Sequence, residues 1–168
     1  MQIPKAMPLL EALETFYKID AESPSGLTRI RATQGPNGKV GPVLSRGTDG
    51  YWRLKFQNEF YRTNRIIYFM QHQTDPGSLL VDHIDGDPLN NRVSNLRLCT
   101  HQQNLLNARG KPKRSGLPKG ISTASNGGYE VSLSIEGERH VVVLANLKAA
   151  ECYLKSLRSR HHGEFARA

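Results

Sequence analysis

The segment VDHIDGDPLNNRVSNLRLCTHQQNLLNARG, residues 81–110, decides how this chain folds and what it does. The apolar run Leu79–Ile84 leads into Asp85-Gly86, a pair that turns the chain tightly because Gly takes positive φ without strain. Leu96 and Leu98 alternate with polar neighbours and predict a second short strand. Thr100-His101-Gln102-Gln103 fits a capping box, with Thr100 as N-cap and Gln103 as its reciprocal partner, so a helix runs from there to about Ala108. The order is strand, turn, strand, helix.

The polar residues in this frame suggest chemistry. Asp82 and His83 are adjacent, Asn95 lies beyond the turn, and Asn104 sits on the helix. Hydrolysing a phosphodiester needs an activated water, neutralised phosphoryl oxygens and help for the departing 3′ oxygen. One hard divalent ion serves the last two needs. Such an ion takes oxygen ligands, which the Asp82 carboxylate and the Asn104 carboxamide supply. An imidazole takes a proton near neutral pH, its unperturbed pKa being ~6.5, and His83 is placed for that work. Neighbours on a strand face opposite sides, so Asp82 and His83 converge only where the strand bulges or ends. Asp85-Gly86-Asp87 reads as a turn rather than a calcium loop, since the alternate-position carboxylates and downstream Glu are missing. Asn90-Asn91 reads as loop.

At these residues the chain resembles the HNH endonuclease family, the ββα-metal fold, and in particular its homing branch. The pattern Asp82-His83, then Asn95-Leu96-Arg97, then Asn104, carries the resemblance. It implies His83 as general base, and Asp82 and Asn104 as ligands of one Mg2+ (or Mn2+) per active site. It also implies that Asn95 hydrogen-bonds across the loop to hold the histidine. An Asn at the third signature position suits a hard ion rather than zinc. Relatives often carry His-Arg where this chain has Asn64-Arg65, and Asn64 is given no role.

Outward from the centre, residues 50–62 alternate, with Trp52, Leu54 and Phe56 on one face, and Gln57-Asn58-Glu59 turning a hairpin. Residues 64–73 read as a short helix. Residues 6–20 carry apolar groups at helical spacing, Leu9, Leu10, Leu13, Phe16 and Tyr17. A turn-rich stretch follows, with one short strand at 27–32. Downstream, Tyr129, Val131, Leu133 and Ile135 alternate with polar residues, and His140–Leu144 returns after a Glu136-Gly137 turn. A last helix from Asn146 to about His161 buries Ala150, Leu154 and Leu157. Residues 115–168 resemble a degenerate APETALA2-type domain, through Lys119-Gly120-Ile121, the two long strands, the Ala149-Ala150 helix and His162-Gly163-Glu164-Phe165-Ala166. The resemblance implies a three-stranded sheet laid in the major groove of duplex DNA. The family's aromatic and Arg positions on the first strand are Ser122, Thr123 and Ser125 here.

Charge agrees with a polyanionic partner. The 168 residues carry a formal net charge of +8, divided as +3 over 1–62, −1 over 63–108 and +6 over 109–168. A slightly acidic centre between basic flanks suits a metal-binding site between regions that hold phosphates. The candidate DNA-binding residues are Arg97, Lys111, Lys113, Arg114, Lys119, Arg139 and His140. Two cysteines, Cys99 and Cys152, exclude a disulfide framework and a four-thiolate zinc site, and both are expected as buried small hydrophobes. His101 is expected to face solvent or phosphate. No stretch approaches the length of a membrane span, and Met1–Leu10 lacks a basic region followed by an apolar core, so no secretory leader is expected and a cytoplasmic protein is, in the host-cell cytoplasm if phage-encoded.

The expectation is therefore an α+β protein. Residues 1–42 form an N-terminal helix and turn-rich segment. Residues 43–110 form the nuclease domain, a small ββα-metal core preceded by a β-hairpin and helix. Residues 111–168 form a basic linker and a three-stranded sheet plus helix that binds DNA. The expected activity is metal-dependent nicking or double-strand cleavage of double-stranded DNA by a monomer, without a small-molecule cofactor or a membrane. The alternative is a DNA-binding protein with an inactive nuclease centre.

Overall fold

The computed structural model describes residues 6–34, 38–107, 115–135 and 137–165. The chain divides into two compact units, Met1–His101 and Gln102–Ala168. Both mix short helices with small antiparallel sheets.

In the first unit, helix α1 (Leu10–Phe16) stops sooner than its apolar spacing predicts, and the chain continues as strand β1 (Tyr17–Ile19). Cross-strand pairing overrides the helical pattern: Tyr17 and Ile19 lie opposite Arg29 and Leu27 of β2 (Leu27–Arg29). The Arg29 guanidinium donates to the Tyr17 hydroxyl at 3.0 Å. Strand β3 (Gly41–Pro42) completes a sheet of order β1-β2-β3. The hairpin β4 (Arg53–Phe56) and β5 (Glu59–Arg62) turns through Gln57 and Asn58, both at positive φ, the conformation that matches strand twist in a two-residue turn. Helix α2 (Thr63–His72) follows directly. Strands β6 (Leu80–His83) and β7 (Leu96–Cys99) pair antiparallel, setting Asp82 opposite Arg97 and His83 opposite Leu96. Helix α3 (His101–Asn107) comes next in the chain, and all of it but His101 belongs to the second unit.

One apolar cluster unites the first unit, with Leu13, Leu27, Leu54, Ile66, Ile67 and Val81 among its members. Residues 1–42, expected as a segment of their own, contribute Leu13, Tyr17 and Leu27 to this core. Ile67, on α2, is fully buried. Ile67→Ala is expected to lower the unfolding free energy by about 2–5 kcal/mol, measurable as a shift in the urea midpoint with an unchanged slope.

The second unit holds β8 (Ile121–Thr123), β9 (Tyr129–Ile135) and β10 (Glu138–Leu144), an antiparallel sheet of order β10-β9-β8, and helix α4 (Leu147–His162). Asn146 caps α4 by accepting from the Ala149 N–H at 2.8 Å. Ile121, Val131, Ala150 and Leu154 form its core. Leu157, expected in that core, is only half-buried, and Cys152, expected inside, is exposed, because the buried stripe of α4 runs through Ala150 and Leu154. Among the described residues, no helix is long and apolar enough to cross a membrane.

Candidate active site

Asp82 and His83 are the last two residues of β6, and both are buried. The pleat gives them separate partners. The Asp82 carboxylate meets its cross-strand neighbour: Arg97 Nε and Nη2 each donate to Asp82 Oδ2 at 3.0 Å. With side-chain exposures of 11% for Arg97 and 7% for Asp82, the pair is an inside one. Inside a protein a carboxylate and a guanidinium are each costly alone and compensate one another as a pair. Arg97, expected at a DNA surface, instead engages this carboxylate with its guanidinium.

The His83 ring is 4% exposed, and its Nε2 lies 2.8 Å from Asn91 Oδ1. Asn91, read from sequence as loop, is also 4% exposed and is the centre of a buried cluster. Its Nδ2 donates to the Ser25 carbonyl at 2.9 Å and to Thr63 Oγ1 at 2.8 Å. Tyr51 flanks the histidine, with ring centroids 5.9 Å apart, and the Arg62 guanidinium lies 4.0 Å from the centroid of the Tyr51 ring. Arg62 is anchored in turn by Asp49 at 2.8 Å. Burial raises the Asp49 carboxyl, but bonds from Arg62, Arg53 and the Tyr51 N–H outweigh that and hold it at about 2.

The loop after His83 is locked by Asn95. Its Nδ2 donates to Asp85 Oδ1 at 2.9 Å and to the Asn90 carbonyl at 2.8 Å, while its Oδ1 accepts from the Asp85 N–H at 3.1 Å. The Ile84 N–H donates to the Asn95 carbonyl at 2.9 Å, and the Gly86 N–H to the His83 carbonyl at 2.8 Å. Burial raises the Asp85 carboxyl, yet the Asp87 N–H and the Asn95 and Asn90 amides bring it below its ordinary value. Asp85 thus organises the turn. Asn64, given no role from sequence, is buried at the start of α2 and donates to the Val81 carbonyl at 2.9 Å, latching helix to strand beside Asp82.

Asn104 lies half-buried on α3, and His101 is exposed. Lys111, Lys113 and Arg114 lie outside the described residues. Lys119 is exposed in the second unit, where its ammonium donates to the Leu105 carbonyl at 3.4 Å. Arg139 and His140 are exposed neighbours on β10, so the pleat sends them to opposite faces of the sheet. Arg139 pairs with Glu130 at 3.2 Å on the face that carries Val141 and Val143, each 46% exposed. His140 is in step with Val142 and with Leu144, which packs on the core.

The donor chemistry here suits a hard cation. Asp82 offers carboxylate oxygen, and the nearest thiol, Cys99, is pushed up to about 11 by burial, reinforced by the Asp82 charge, so it supplies no thiolate. Among the described residues no group of three or more His, Cys, Asp or Glu side chains could hold a metal, so a zinc-type cluster of such ligands is not built here.

This strand–turn–strand hairpin, with its adjacent Asp and His and its loop-clamping Asn, lies within the stretch that matches a family model. Residues 62–106 match the HNH endonuclease model. The chain is 34% identical over 118 residues to Protein 3.8 of Escherichia phage T7, covering 67% of this chain and 97% of that one. It is 37% identical over 133 residues to an uncharacterized HNH endonuclease, L560, of Acanthamoeba polyphaga mimivirus, covering 74% of this chain and 68% of that one. It is 37% identical over 71 residues to an SPbeta prophage-derived protein of Bacillus subtilis (strain 168), YosQ, whose name includes the words HNH homing endonuclease; 41% of this chain and 40% of that one are covered. No solved structure matches. The chain belongs to the HNH endonuclease family and is a DNA nuclease, a phosphodiester hydrolase.

Proposed function

We propose that this nuclease is of the homing type and cleaves double-stranded DNA with His83 as general base and one divalent ion, Mg2+ or Mn2+, held by Asp82 and the Asn104 carboxamide in a ββα-metal core. The observation that carries the reading is the end of β6, where a buried carboxylate and a buried, amide-held imidazole are consecutive. When bound, the ion supplies charge neutralisation at the phosphoryl oxygens and at the departing 3′ oxygen. A ring nitrogen of His83 takes a proton from the attacking water; an O–P bond forms as the bond from phosphorus to the 3′ oxygen breaks. Asn95 is a positioning residue that fixes the loop on which the histidine stands. Arg97 orients the Asp82 carboxylate and offsets its charge inside the protein.

The second unit is proposed as the DNA-binding part, in the manner of an APETALA2-like sheet, and the enzyme as a monomer. Plasmid relaxation tests the activity: it is expected with Mg2+ and lost with chelator, and absence of any nick across a wide metal panel would remove the proposal. Competition with unlabelled duplex DNA against structured RNA identifies the substrate, duplex DNA being the stronger competitor. For the second unit, Lys119→Ala combined with Arg139→Ala in the full chain is expected to weaken duplex binding. The slope of log K against log salt should fall by about 0.9 for each phosphate that the variant no longer neutralises. An unaltered slope would show that neither residue meets a phosphate.

A further inference from the structure

We propose that Arg53 and Arg62 form a two-guanidinium fork that grips a backbone phosphate of the bound duplex beside the phosphodiester being cut. The placement beside the cut rests on the reading of His83 as the reaction centre; the phosphate contact itself does not.

Arg53 of β4 and Arg62 of β5 are direct cross-strand partners. Like charges so placed repel each other. Leu54 and Phe56 alternate with them and pack into the core, so the two guanidiniums share the outer face of the hairpin, with Lys55 and Phe60 as the next pair along it. Asp49 gathers the fork. Its Oδ2 accepts from Arg62 Nε at 3.1 Å and Nη2 at 2.8 Å, and lies 3.2 Å from Arg53 Nη2. The side chains of Arg62, Arg53 and Asp49 are 45%, 34% and 27% exposed, and ion pairs so open to water add little to stability. One carboxylate between two guanidiniums leaves a positive surplus. Each guanidinium carries several N–H donors, and among the described residues Asp49 engages two nitrogens of Arg62 and one of Arg53, so donors remain on both for a second oxyanion.

The turn before β4 is shaped to this cluster. The Gly47 N–H donates to the Tyr51 carbonyl at 2.8 Å, and the Tyr51 N–H to Asp49 Oδ1 at 3.4 Å. A Cβ on Gly47 would overlap the Arg53 guanidinium and meet Asp49 Oδ1 at 2.5 Å. The fork also has an address. The Arg62 guanidinium lies 4.0 Å from the centroid of the Tyr51 ring, and that ring is 5.9 Å from the His83 ring. With one face covered by an aromatic ring, a guanidinium meets an anion through its N–H edge, the geometry that matches phosphate oxygens. Phosphates follow one another closely along a strand, so one held two ring contacts from the histidine belongs to a nucleotide near the cut.

Once cleavage ends are mapped, single phosphates around the cut are replaced by neutral methylphosphonate links, and the full-length protein binds these duplexes in chelator at fixed salt. Wild type is expected to bind about tenfold less tightly when the link falls within about two nucleotides of the cut. Arg53→Gln combined with Arg62→Gln is expected to bind the unmodified duplex about tenfold less tightly, to reduce the slope of log K against log salt by about 0.9, and to be insensitive to that link. Gly47→Ala keeps every charge and is expected to weaken the same contact about threefold by displacing the Arg53 guanidinium. A double variant with unaltered affinity and slope, or one still sensitive to the same link, overturns the proposal. Should thermal melting show the double variant unfolded, the wild-type map and Gly47→Ala decide, an unchanged affinity in the alanine variant counting against the fork. Sensitivity confined to phosphates far from the cut overturns the placement. An unchanged turnover in His83→Ala would instead overturn the general-base reading and leave the phosphate contact standing.

Discussion

His83→Ala is expected to lower the turnover of duplex cleavage by about 10²–10⁴-fold while the dissociation constant for the same duplex stays within about twofold. The asymmetry follows from the role. A group that moves a proton in the transition state contributes to turnover, whereas a buried ring that is 4% exposed offers little surface to bound DNA. The substitution has a second effect, which controls for folding. It removes the hydrogen-bond partner of Asn91 Oδ1 and leaves that acceptor buried, at a cost of about 1–3 kcal/mol. Turnover is therefore measured well below the variant's melting temperature. Equal losses in turnover and affinity would make His83 a structural residue rather than a base.

The second large effect is expected at Asp82. Because Arg97 is paired with it in the interior, Asp82→Ala would orphan a guanidinium and confuse metal loss with misfolding. Asp82→Asn keeps an acceptor for Arg97 and removes the negative charge that draws a divalent ion. The Mg2+ concentration for half-maximal cleavage is expected to rise at least about tenfold, with full rate partly recovered at high Mg2+. Thermal melting of the metal-free variant controls for the ion pair. An unchanged Mg2+ requirement in a folded variant would take Asp82 off the ligand list.

How much of this was legible in the sequence depends on the range of the interaction that carries it. The hairpin of β6 and β7 and the helix after it were readable because Asp85-Gly86, the alternating leucines and the capping box are local signals. The second unit was readable for the same reason, since Tyr129–Ile135 alternates cleanly and Asn146 announces α4. Three features were not. Tyr17–Ile19 continues a helical spacing, and only its partner Leu27–Arg29 makes it a strand. Arg97 looked like a surface cation, and only the register that sets it opposite Asp82 turns it inward. Asn91 sits in an Asn-Asn pair of turn composition, and its value depends on Ser25 and Thr63, which are distant in the chain. The one available hint was chemical: a buried histidine needs an acceptor, and the loop beside it is rich in amides.

The hydrogen bond from Asn91 to the Ser25 carbonyl also bears on where this catalytic module can be cut. Residues 62–106 carry the recognisable signature, yet the amide that steadies the imidazole leans on a turn outside that window. Transplanting the signature alone into another scaffold would carry away the base and leave its footing behind. The smallest portable version of this nuclease has to start upstream of Ser23.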